Sequence, residues 1–150
     1  MIEMLAVLAV IAILAALAVP NLMDRMVRDQ IIEGAKLADV AKGPLAAGWS
    51  TAKKLLNDNA EAGLPVAEKI VSNHISGVVV ESGAIHLKFG NGASAALQGK
   101  TLTLRPAVVE DAPVVPVAWV CGAASAPAMM TLRGTNRTDI SARYLPLNCR

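Results

Sequence analysis

Aromatic side chains are scarce in this sequence: two Trp, one Tyr and one Phe among 150 residues. Trp49, Phe89, Trp119 and Tyr144 are too few for a base-stacking platform or an aromatic cage, and they argue against a fibre that conducts electrons through stacked rings. Cysteine is rarer still. Cys121 and Cys149 stand in neither a CxxC nor a Cys/His metal spacing, so no metal is expected. They permit one disulfide, which would need an oxidising compartment, or else two free buried thiols. No block of like charge exists either. Fourteen basic and twelve acidic side chains are interspersed to a net +2, and charge alone names no partner; nucleic-acid binding is not indicated.

Catalytic signatures are missing as well. There is no nucleophile and base arrangement, Walker-type loop, GxGxxG or HExxH, and Gly90-Asn91-Gly92 reads as a hairpin turn rather than a phosphate cradle. His74 and His86 stand apart from other ligands and read as ordinary surface or strand histidines, each able to meet a carboxylate in space. Neither an enzyme nor a bound cofactor is expected.

What the chain has is a long apolar run. From Met1 to Val19 the only charged residue is Glu3, and at 1.5 Å per residue a helix of this length nearly matches a hydrocarbon core of roughly 30 Å. A secretory signal peptide would need a basic segment ahead of its apolar core, and nothing basic occurs before Arg25. Burial inside a soluble core is the other rival, in a chain with room for one modest domain. Arg25 and Arg28 after the span would put the C-terminal bulk inside by the positive-inside rule, whereas the cysteine pair suggests the reverse. Both hold if a basic leader once preceded Met1 and was removed.

Glu3 requires a reason. A carboxylate at mid-bilayer costs about 2.5–3.5 kcal/mol, less near a helix end, where the dipole offsets part of it. Either it is an interfacial first-turn acid, or the helix later enters a dry assembly where the carboxylate must be paired. The nearest cation for that pairing is an α-amino group at a chain N-terminus.

Beyond Pro20 the pattern is amphipathic. Met23, Met26, Val27, Ile31, Leu37, Ala41, Leu45, Trp49, Ala52 and Leu56 recur at three- and four-residue steps. Asp24 with Arg28, Arg25 with Asp29 and Glu33 with Lys36 are spaced as neighbours on one helix, worth about 0.2–0.5 kcal/mol each, and read as a solvated face. Pro20 deprives the carbonyl near Ala16 of its donor and should bend or locally melt the helix. Gly43-Pro44, with Gly34 and Gly48 nearby, is a second interruption. The helix should end near Leu56, before Asn57-Asp58-Asn59.

Residues 60–76 form a connector. Gly77 to Ser82, Ala84 to Phe89, Thr101 to Pro106 and Val117 to Cys121 then read as antiparallel strands. The expected fold is α+β: a long N-terminal helix whose C-terminal half packs on an antiparallel sheet of about four strands. Its parts are residues 1–22 (apolar span), 23–56 (amphipathic half) and 57–150 (head). Asn136-Arg137-Thr138 fits the N-glycosylation pattern and reads as an exposed loop.

The stretch IEMLAVLAVIAILAALAVPNL, Ile2 to Leu22, resembles the N-terminal signature of type IV pilins, in the separation of Glu3 from Pro20 and in the pair Ala15-Ala16. Pilins usually have four residues, commonly beginning with Phe, before this Glu. Here only Met1 and Ile2 precede it, so two residues are missing or the mature start is unusual. The resemblance implies a leader cut by a prepilin peptidase, a methylated N-terminus, and a glutamate that neutralises the N-terminal amine of a neighbouring subunit. It also implies a disulfide between Cys121 and Cys149 closing a C-terminal loop, worth about 3–4 kcal/mol in the chain-entropy model.

By the same resemblance the chain is expected to form a homo-oligomeric helical filament, drawn from an inner-membrane pool by the pilus assembly machinery and displayed outside the cell. Adhesion, twitching motility, DNA uptake or phage attachment would be its uses. The alternatives are a type II secretion pseudopilin, a minor pilin, or, from another class, a membrane-tethered periplasmic binding module. On the first reading Glu3, Met1 and Pro20 serve assembly, and Pro20, Gly43 and Pro44 serve helix flexibility.

Overall fold

The computed structural model describes residues 1–150. Helix α1 runs Ile2–Leu37 and α2 runs Asp39–Ala52. A short 3-10 turn, Ala67–Lys69, precedes strands β1 (Ile75–Glu81), β2 (Ala84–Phe89), β3 (Thr101–Val108), β4 (Ala118–Cys121) and β5 (Thr131–Leu132), and a second turn, Leu147–Cys149, closes the chain. The fold is α+β, a long rod carrying an antiparallel sheet.

The rod meets the sheet along one stripe. Val27, Ile31, Gly34, Ala38, Ala41, Leu45 and Trp49 are buried at three- and four-residue steps, the period of one helix face. Opposite them lie Ile75, Val78, Val80, Ile85, Leu87, Phe89, Leu102 and Leu104, the inward residues of three strands. Gly34 sets the closeness of approach: a Cβ there would stand 2.9 Å from Ile75 Cδ1 and 3.1 Å from Phe89 Cε1. Met23, Met26 and Ala52, expected in this stripe, are exposed, because the sheet reaches neither so low nor so high.

The rod is interrupted at Ala38, ahead of the expected Gly43-Pro44. Ala38 keeps right-handed dihedrals (φ −61°, ψ −21°), and its N–H bonds Ala35 O at 3.2 Å, so this is a bend and not a stop. Pro44 lies inside α2 and Pro20 inside α1, each within continuous helix. The helix also ends earlier than expected. Lys53 takes a left-handed conformation (φ 50°) with its N–H on Trp49 O at 2.9 Å, and the chain then folds back so that Leu56 O and Asn57 O accept Gly83 N and Ser82 N.

The sheet order is β1-β2-β3-β4, with β3 taking β2 along residues 101–104 and β5 along 107–108. Ser82 and Gly83, both at positive φ, make the two-residue turn between β1 and β2. Gly90-Asn91-Gly92 is not such a turn: residues 90–100 separate β2 from β3, and the Asn91 amide reaches back to Ser72 O and Ile75 O. Four strands are legible in the chain; β5, two residues long, is too short to leave a sequence pattern.

Candidate functional site

Two surfaces stand out, an unpartnered apolar rod and the head's tightly tied C-terminal loop. Every residue from Met1 to Met23 is exposed, and this segment of α1 is long and apolar enough to cross a membrane. A continuous apolar surface of this size on a lone molecule marks a surface built to be covered by lipid or protein. Glu3 sits in its first turn and Met1 at its cap, where Met1 O accepts Leu5 N at 3.2 Å. No side chain caps the helix. Near Pro20, which has no N–H to give, the Asn21 amide donates to Leu17 O at 3.4 Å.

The glycines expected to loosen the rod divide into two kinds. Gly34 and Gly48 are packing positions, the latter with Lys54 O and Leu56 within 3.1–3.3 Å of an added Cβ. Gly43 has nothing within 4 Å, so no close contact accounts for it.

The charges of the rod are used differently from the expected helical neighbours. Asp24 is held by Arg143 Nη2 at 2.9 Å from both carboxylate oxygens, and Arg28 donates to the Arg143 carbonyl at 2.9 Å. Asp24 also raises the Arg143 pKa above its already high value. Gln30 Oε1 accepts Ser94 N at 2.9 Å, and Glu33 lies 3.3 Å from His74 Nδ1. The rod's polar face is therefore a set of clamps on the lower head. Sequence reasoning missed them because 119 positions separate Asp24 from Arg143.

At the C-terminus Cys121 and Cys149 form a disulfide. Gly122 beside it has φ +58°, and a Cβ there would fall onto Cys149 O, so glycine is required by both conformation and space. The bridged loop folds across the outer face of the sheet. Arg137 N donates to Thr103 Oγ1, Thr103 N to Thr138 Oγ1, Thr101 N to Asp139 Oδ1, and the Arg137 side chain to Glu81. This cover buries Thr103 and His86, which point away from the rod.

His86 is thus a strand residue beside a carboxylate, but a buried one. Thr103 Oγ1 accepts the Arg137 amide at 3.0 Å and shares a hydrogen bond with His86 Nδ1 at 2.9 Å, and His86 Nε2 lies 3.5 Å from Glu81. Burial lowers the His86 pKa, the Arg137 charge lowers it further, and Glu81 only partly opposes them. Thr138, part of the Asn136-Arg137-Thr138 pattern, has its hydroxyl engaged with Thr103 N.

Residues 27–150 match the family model for pilin, a bacterial filament protein. The chain is 30% identical to the type IV major pilin protein PilE1 of Neisseria gonorrhoeae, over the whole chain and 84% of that protein. It is also 30% identical to the fimbrial protein EcpC of Eikenella corrodens, again over the whole chain and 88% of that protein.

Proposed function

Because this chain belongs to the pilin family and is a structural subunit of a bacterial pilus, we propose that its apolar rod serves two environments in turn. Before assembly residues 1–22 span the inner membrane with the head outside the bilayer. After extraction the same residues bundle with identical copies to form the dry core of an extracellular filament, and the heads face water. The observation that carries this reading is the unbroken exposure of Met1 to Met23 beside a head whose own core is closed.

In that bundle an ionised Glu3 cannot remain unpaired, and the α-amino group at a neighbour's N-terminus is the compact cation that meets it. Pro20 and the Gly43-Pro44 pair are the positions where the rod yields when the filament is stretched. A prepilin peptidase and the pilus assembly machinery act on the subunit, which itself performs no catalysis and binds no cofactor. Adhesion, twitching motility, DNA uptake and phage attachment are the uses open to such a filament.

Electron microscopy of sheared surface material tests this. Fibres containing the subunit are expected from the native chain, and Glu3→Ala should reduce them at least tenfold while the membrane pool persists. Equal fibre yield from Glu3→Ala would remove Glu3 from assembly, and monomers alone from the native chain would overturn the filament reading.

A further inference from the structure

Arg25 and Arg28 are the first basic residues after the apolar run, and the fold gives their charges no partner. Helical spacing would pair Arg28 with Asp24 and Arg25 with Asp29. Instead Arg143 holds Asp24 at 2.9 Å, Arg28 reaches only the Arg143 carbonyl, and Arg25 is exposed with neither an ion pair nor a hydrogen bond. Two unmatched guanidiniums just beyond a span also run against the positive-inside rule when the head lies outside.

Their height along the rod is fixed by packing. Pro20, Met23, Asp24 and Val27 share one cleft with Arg143 and Tyr144, so the lower rim of the head comes down to the end of the apolar run. Residues 2–20 of a helix rise about 28 Å, close to the roughly 30 Å of a hydrocarbon core. With that run in a bilayer, the rim lies at the level of the lipid phosphates. Its composition suits that level. Met23 and Met26 are exposed apolar side chains, and Tyr144 carries the Arg143 guanidinium 4.9 Å from its ring centroid. Asp24 matches Arg143, and Arg25 and Arg28 against Asp29 leave a positive excess.

We propose that the lower rim of the head docks on acidic phospholipid headgroups of the membrane that the rod spans, with Arg25 and Arg28 on their phosphates. This rests on the reading that residues 1–22 span the bilayer before assembly. The planar guanidinium fork donates two parallel hydrogen bonds to two phosphate oxygens. An acidic lipid brings a net negative charge to the positive excess of the rim, whereas a zwitterionic lipid brings its own cation. Carboxylates of a second copy are the rival occupant. The phosphates take precedence because the spanning rod sets them at this height before any second copy arrives.

The test is amide hydrogen exchange of the full chain in nanodiscs, made of phosphatidylcholine alone or of an equal mixture with phosphatidylglycerol. Residues 94–96 and 143–145 should exchange at least fivefold more slowly in the mixture, and high salt should erase the difference. Arg25→Gln removes a side chain with no partner in the fold and should weaken the protection about fivefold; adding Arg28→Gln should abolish it. Lys36→Gln, about 16 Å farther up the rod, should leave it intact. Equal exchange in the two bilayers, or an equal effect of Lys36→Gln, would overturn the proposal. So would protection that survives Arg25→Gln while fibre yield falls, since Arg25 would then meet a neighbouring subunit. Alkaline extraction separates this proposal from the spanning itself: a chain extracted from both bilayers defeats both, and a chain retained with equal exchange defeats the docking alone.

Discussion

Leu14 and Leu45 belong to the same helical rod, but Leu14 is 61% exposed and Leu45 only 1%. Residue type and local helix propensity are identical; the difference is what each faces. Leu45 has the sheet, and Leu14 has nothing within its own chain. The lower rod therefore contributes no folding stability to the isolated subunit and is free to exchange one apolar neighbourhood for another. The upper rod is part of the head and cannot leave it without unfolding it.

Matched substitutions should break or sustain this contrast. Leu45→Ala removes fully buried methyl groups and should lower head stability by about 2–5 kcal/mol in urea unfolding of the detergent-held chain. Leu14→Ala should change the same quantity by no more than about 0.5 kcal/mol. Equal losses would mean that the two halves of the rod are energetically one.

The disulfide belongs to the head alone. Cys121→Ala with Cys149→Ala should cost about 3–4 kcal/mol by the chain-entropy argument, read by the same unfolding curve, with membrane insertion of the rod unaltered.

A smaller effect should appear with pH. His86 has a folded pKa below its usual value near 6.5, so the unfolded chain binds the proton more readily than the folded one. Its contribution is complete above about pH 6.5 and is lost as pH falls from there through the lowered folded value. His86→Gln should flatten the stability profile over that window, and hydrogen exchange should place the acid-labile region in residues 136–139, which cover His86. A profile that keeps its slope in His86→Gln would assign the acid sensitivity elsewhere.

The smallest change concerns the seam between the two regions. Asp24→Ala frees Arg143, an exposed side chain, and should speed amide exchange around residues 143–145 without measurably shifting the unfolding midpoint. Exchange that stays at the native rate would show that Gln30 and Arg28 hold the lower head alone.

The apolar run, the amphipathic stripe and the first four strands can be read from the chain because each is a local periodicity imposed by its own backbone geometry. Val27, Ile31, Ala41, Leu45 and Trp49 fall on one face whatever packs there. The differences between expectation and structure are of another kind. Asp24 and Arg28 are spaced to pair on a helix, yet Arg143 takes both, because a partner arriving from the far end of the chain leaves no spacing to read. His86 alternates to the outside of its strand, which would ordinarily mean solvent. The disulfide-bounded loop covers it instead.

The sequence by itself determined that residues 1–19 form a rod with one lone acid, because an uninterrupted apolar stretch leaves a helix few alternatives in any low-dielectric medium. Tertiary structure alone decided how the head is clamped to that rod and that the sheet has two covered faces. Those outcomes depend on which distant segments meet. Contacts between residues far apart are selected by the packing of the whole and are not encoded in any short window of the chain.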